Sequence, residues 1–183
     1  MECCENIYSL LDQGFGTKKN DLLCERIKYE IIGGEVHIKE VGNLKKMDQL
    51  DFTYLNGHTI PLCECEDGFQ SFIIMQLMLT HGCLDHETLV LVEFPDMFLS
   101  PCKIADYVRM CIWIHKEQGT RFVFSTYNRD VITAINHYYH AENLSTPLNY
   151  YIANNTRSTF NYSYHFSGNN VSPVLEYLKM ELK

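Results

Sequence analysis

TLVLVEFPDMFLSP, residues Thr88 to Pro101, reads as a strand that stops at a carboxylate. Thr88 to Val92 is a run of β-branched residues and leucine, Glu93 ends it, and Pro95 forbids its continuation, which predicts a fully buried strand. In α/β sheets the carboxyl ends of such strands carry the chemistry. A carboxylate fixed there can hold Mg²⁺ through water, because a hard cation prefers oxygen ligands. Glu93 is therefore the candidate metal-facing residue, and Asp96 in the following turn is a second carboxylate of interest.

Downstream, apolar residues fall at Ile104, Tyr107, Val108, Cys111, Ile112 and His115, the spacing of an amphipathic helix, and Gly119 closes it. Arg121 to Ser125 predicts another short buried strand, and Thr126 to Asn128 leads into a helix with Val131, Ile132 and Ile135 inward. Tyr150 to Ala153 and Tyr162 to Phe166 read as strands, and Val174, Leu175, Leu178 and Leu182 as a last helix after Pro173. Upstream, FQSFIIMQLMLT from Phe69 to Thr80 is apolar nearly all the way round, so this helix must be buried. Glu66 and Asp67 at its start favour the helix dipole. Helix, strand, helix, strand, helix from Phe69 onward predicts an α/β fold with a mainly parallel sheet covered by helices.

The first third has a different period. Ile27, Tyr29 and Ile31 alternate, Gly33-Gly34 suggests a tight turn, and Val36 and Ile38 share a face, together predicting a β-hairpin from Arg26 to Lys39. Leu50, Phe52 and Tyr54 repeat the alternation, and Asn56-Gly57 turns the chain into a partner strand from His58 to Leu62. Ile7 to Leu11 reads as a short helix stopped by glycine. The expected division is an antiparallel β subdomain over 1–63 and an α/β lobe over 64–183, in a single domain.

A chain of 183 residues with a formal charge of −8 is large enough for one sizeable core. It offers no basic block for phosphate backbones, so direct nucleic-acid binding is not expected. No segment approaches the roughly 18 consecutive apolar residues of a membrane span, and the start lacks a secretory pattern, so the expected location is the cytoplasm. The eight cysteines lie mostly in apolar runs and are expected to be reduced. Cys63, Cys65, His81, Cys83 and His86 form one neighbourhood with zinc-binding side chains, although C-x-C departs from the usual knuckle spacing and a long helix separates the groups.

In their order these segments resemble the C-terminal part of ABC-type ATPases of the RecF, SMC and OLD-nuclease group, including small bacterial AAA-family ATPases of defence systems. Glu66-Asp67-Gly68-Phe69-Gln70-Ser71 stands where that group has its signature turn before a buried helix. Leu89 to Pro101 resembles the Walker B strand and D-loop, with Glu93-Phe94-Pro95-Asp96 and then Leu99-Ser100-Pro101. FVFSTYNRDVI, Phe122 to Ile132, is similar to the switch segment. The resemblance implies a partial P-loop NTPase fold preceded by an antiparallel subdomain. It gives Glu93 the role of a degenerate Walker B carboxylate, puts Tyr127 at the switch position, and makes Glu66, Asp67, Gly68, Phe69 and Gln70 the turn that would meet a nucleotide in trans.

Departures from that pattern shape the functional expectation. No G-x-x-x-x-G-K-[ST] occurs in the sequence, and Gly14-Phe15-Gly16-Thr17-Lys18 has the wrong spacing. Phe94 occupies the position of the water-polarising Glu and can neither accept a proton nor orient water. Tyr127 replaces the switch His, Ser100 the D-loop His, and Glu66 the signature Ser. The expected protein is a degenerate ATPase-like domain, inactive alone, that serves as a regulatory or protein-binding module. Its partners would be a second copy or an intact P-loop ATPase or nuclease. The alternative is one half of a split ATPase that needs a partner's P-loop before ATP and Mg²⁺ can bind.

Overall fold

The computed structural model describes residues 20–38, 50–155 and 162–180; the short helix expected at Ile7 to Leu11 and the Gly14–Lys18 segment lie outside them. The first described element corrects the sequence reading. Arg26 to Ile32 is not a strand: α1 covers Asp21–Ile27 and continues as a π-helical turn over Lys28–Ile32. Leu23, Cys24, Ile27, Ile31 and Ile32 are buried, which is helical spacing, whereas Tyr29, expected inward, is 58% exposed. Asn20 caps the helix by accepting the Leu23 amide proton at 3.1 Å. Gly33, at φ 76°, ends it in the left-handed conformation and so acts as a helix stop rather than a hairpin turn.

The strand after this stop, β1 (Gly34–Ile38), pairs antiparallel with β2 (Leu50–Tyr54), which pairs antiparallel with β3 (Thr59–Pro61) across the expected Asn56-Gly57 turn. The antiparallel N-terminal region is thus present, as three strands and a helix. A 3₁₀ turn, Leu62–Glu64, leads to α2 (Asp67–Thr80). As its composition demanded, α2 is buried along most of its length, with Phe72, Ile73, Met75, Leu77 and Leu79 in the core.

Gln76 is the polar exception on α2, at 2% exposure. Its carboxamide oxygen accepts from the Val36 amide at 3.2 Å and its nitrogen donates to the Gly34 carbonyl at 3.0 Å. The side chain therefore satisfies backbone groups of β1 as a further strand would. Gln76→Ala would strand both groups and should cost about 1–3 kcal/mol, read as a lower denaturation midpoint. An unchanged midpoint would mean β1 does not need this clamp.

The parallel sheet comprises β4 (Leu89–Glu93) and β5 (Arg121–Ser125), joined by α3 (Pro101–Gln118). They pair in register from Leu89 opposite Arg121 to Glu93 opposite Ser125. Two expectations need correction here. Among the described residues the parallel sheet has two strands and is not the dominant sheet. Nor are β4 and β5 fully buried, since burial alternates along each. Val90, Val92, Phe122 and Phe124 pack on the core. Leu89, Leu91 and Val123 face outward at 51%, 72% and 51% exposure. An apolar run cannot distinguish a face covered within these residues from one left bare, and the sequence reading assumed the former.

The helix α4 (Arg129–Ala141) packs on α3 through Ile104, Val108 and Ile112 against Val131, Ala134 and Ile135. The strands expected near the C-terminus form an antiparallel pair, β6 (Tyr150–Asn155) and β7 (Tyr162–Gly168). A small core joins Ile132 of α4, Tyr150 and Ile152 of β6, and Val174 of α5 (Ser172–Met180).

A polar clasp ties α1 to α3 and the end of α4. The Arg26 guanidinium lies 3.5 Å from the Trp113 ring centre, a cation–π contact. The indole NH of Trp113 donates to Glu142 at 2.8 Å and Lys116 donates to its other oxygen at 2.6 Å. The hydrogen bond from Lys116, opposed by partial burial and aided by that from Trp113, holds the Glu142 carboxyl below its ordinary 4.5. A carboxylate depressed by folding stabilises fully above its unfolded value and loses that stabilisation as pH falls through the folded value. Acid denaturation should thus be steeper below pH 4.5 in the native chain than in Glu142→Gln. Identical acid limbs would show that the clasp contributes nothing.

Candidate functional site

The three segments singled out in the sequence converge at the carboxyl end of the parallel pair. Backbone comes first. The Phe94 amide donates to the Ser125 carbonyl at 2.9 Å, extending the ladder past Glu93, and Met97 and Leu99 close turns on Phe94 and Asp96. Within this connection Phe94 and Phe98 adopt φ of 48° and 61°. Side chains other than glycine rarely occupy that region, and each costs on the order of 1–2 kcal/mol. The surrounding contacts must hold them there.

One such contact is Asp96. Its two carboxylate oxygens accept from Thr126 Oγ1 at 3.0 Å and Asn128 Nδ2 at 3.2 Å, which locks the turn after β4 to the turn after β5. Thr126 Oγ1 also accepts from the Asn128 amide at 2.9 Å, and Asn128 Oδ1 caps α4 by accepting from the Asp130 amide at 2.7 Å. Above this network the rings of Phe94 and Tyr127 stack, with centroids 6.0 Å apart and planes 25° from parallel. The other support is Gly68: a Cβ there would meet the Phe98 carbonyl oxygen at 2.5 Å and Leu99 Cδ2 at 2.7 Å, so the start of α2 sits directly against this turn.

A shallow open depression of about 480 Å³ follows from that contact, lined by Glu64, Cys65, Glu66, Asp67 and Phe98. Glu66 occupies the N-cap of α2 without a side-chain capping bond, and its exposed carboxylate faces solvent with those of Glu64 and Asp67. Two residues of the expected signature turn make contacts within the chain. Phe69 packs edge-on against Phe52 at 5.1 Å, and the Gln70 side-chain carboxamide donates to the Cys65 carbonyl at 3.1 Å. Ser100 is exposed one position before α3. Asp96's links to Thr126 and Asn128 could not be read from sequence; the one local signal was the Asn128–Asp130 capping pattern.

These groups can bind by stacking, apolar contact and negative charge. They do not make a Mg²⁺ site unaided, since both Asp96 oxygens are engaged by donors and Glu93, exposed at the strand end, is left as a lone carboxylate arm. Among the described residues no group of three or more His, Cys, Asp or Glu is placed to hold a metal ion. In the zinc neighbourhood His81 Nδ1 lies 2.9 Å from the Leu77 carbonyl, and the Cys83 thiol, raised by burial, points to the His81 carbonyl at 3.9 Å. No disulfide joins the described cysteines, and Cys111, wholly buried, has its thiol pushed well up by desolvation.

Neither a protein-family model nor a curated protein matches the sequence. Among solved structures, a chain from work on the ATP-driven dimerization and DNA-stimulated activation of SMC ATPases matches with a TM-score of 0.56 at 10% identity. The match spans 91% of this chain and 98% of that one. The fold is similar to that of this SMC ATPase chain. At such identity the likeness concerns fold alone, and the two chains are similar in length because each is covered almost completely. Among the described residues no helix is long and apolar enough to cross a membrane.

Proposed function

We propose that this chain is a degenerate ABC-ATPase-like lobe acting as a regulatory or protein-binding module, docked on a P-loop-bearing ATPase lobe supplied from outside these residues. The outer face of β4 and β5 carries the reading. Leu89, Leu91 and Val123 lie bare on it, and parallel strands are ordinarily covered on both faces. A lobe contributing strands and a helix would cover this face and pair the open edge together. The SMC ATPase chain it resembles comes from a system with ATP-driven dimerization, which supports association as the mode of action. The sequence resemblance to ATPases of the RecF, SMC and OLD-nuclease group would set it in bacterial defence or DNA processing.

A second reading, the split ATPase half, draws on the placement of Gly68 against Phe98. That contact sets the start of α2 against the turn that follows Glu93, as a site completed in trans would need. Mixing with a P-loop lobe separates the two readings, because hydrolysis appears only in the second.

Under either reading the isolated chain should not grip a triphosphate, since the amides and lysine of a P-loop supply those contacts and its sequence contains no P-loop motif. Calorimetry with Mg²⁺-ATP should give no dissociation constant tighter than about 100 μM. A tighter value, or turnover by the chain alone, overturns the proposal.

A further inference from the structure

The end of the sheet differs chemically from its face. Phe94, Met97, Phe98 and Tyr127 form an apolar and aromatic platform, exposed by 36%, 55%, 70% and 73%. The exposed residues Glu64, Glu66 and Asp67 line a depression with Phe98, and exposed Glu93 immediately precedes Phe94. The nearby cations offset this little: Lys103 is drawn to Asp106 at 3.6 Å, and exposed Arg129 is followed by exposed Asp130. Exposed aromatic rings bordered by negative charge match one kind of occupant. Guanidinium groups stack on aromatic faces and pair with carboxylates, and the aliphatic stems of Arg and Lys cover apolar surface.

We infer that this platform is the docking socket for a basic, apolar segment of a partner protein, in which Arg or Lys side chains alternate with aliphatic ones. Charge complementarity selects that occupant. A nucleotide or nucleic-acid phosphate would be repelled by Glu66 and its neighbours. A second copy would bring the same carboxylates against their own kind, in a chain of net charge −8. The strained backbone at Phe94 and Phe98 is consistent with a surface shaped for display, and the Asp96 network keeps it rigid before a partner arrives. The inference rests on the protein-binding reading above but concerns a different surface from the outer face of β4 and β5.

The probe is a capped, fluorescently labelled peptide alternating Arg and Leu, with a Glu–Leu peptide of equal length as control, titrated with the full chain at low salt and read by anisotropy. The Arg peptide should bind about tenfold or more tightly than the control, and added salt should weaken it. Tyr127→Ala and Glu66→Lys should each weaken it about fivefold or more, whereas Glu176→Lys, the same charge change on α5, should alter it less than about twofold. Leu91→Asp should leave it intact, so failure of the sheet-face docking and failure of this socket are separable. Equal effects of Glu66→Lys and Glu176→Lys would reduce the binding to net charge and overturn the inference. So would an indifferent Tyr127→Ala, competition by single-stranded oligothymidine, or a self-association that Tyr127→Ala abolishes.

Discussion

Phe72→Ala should lower the unfolding free energy by about 3–5 kcal/mol, one of the largest losses a single core truncation produces. Phe72 is 1% exposed. It meets Tyr107 of α3 edge-on at 5.1 Å and Phe69 at 6.0 Å. Through it α2 joins the helical layer that carries β4 and β5 to the antiparallel sheet, because Phe69 in turn contacts Phe52 of β2. Truncation would remove the ring's transfer free energy and leave a cavity between elements that cannot all close on it. Denaturant unfolding followed by circular dichroism measures the change, with Phe72→Leu expected to fall between the two. A loss below about 1 kcal/mol would mean that α2 is not the hub described here.

Leu91→Asp should have the opposite profile. At 72% exposure Leu91 contributes little to the isolated chain, so its replacement should shift stability by no more than about 0.5 kcal/mol. In a docked complex the same position would be at the centre of the buried sheet face, and an unpaired carboxylate there should weaken association by about 3–5 kcal/mol, a loss of roughly two to nearly four orders of magnitude. A destabilised isolated chain would instead indicate that the outer face is covered within the molecule itself.

How far the sequence disclosed this architecture depends on what each segment's pattern can encode. The buried helix from Phe69, the amphipathic helix after Pro101 and the hairpin at Asn56-Gly57 were legible because their periodicity and turn chemistry each admit one structure. Arg26 to Ile32 was misread because its apolar residues satisfy both periods. Ile27, Tyr29 and Ile31 alternate, yet Leu23, Cys24, Ile27 and Ile31 also share a helical face, and burial against α2 and α3 decided for the helix. At the candidate site, Glu93, Phe94 and Tyr127 were placed by their positions after two strands, and the structure brings them together. Phe69 and Gln70 were named with Glu66 by motif likeness; Phe69 makes a tertiary contact with Phe52, whereas the Gln70 side chain turns back to the Cys65 carbonyl. The Asp96 bonds to Thr126 and Asn128 join residues about thirty positions apart and leave no local trace.

The account's central claim is that the bare face of β4 and β5 belongs against a P-loop-bearing lobe. The most direct measurement compares tagged wild-type and Leu91→Asp chains recovered from native cells, with the retained proteins identified by mass spectrometry. The wild type is expected to retain a protein containing a P-loop in stoichiometric amount, and Leu91→Asp to lose it while staying folded. Equal retention by the two chains, or a wild-type partner without any P-loop, would contradict it.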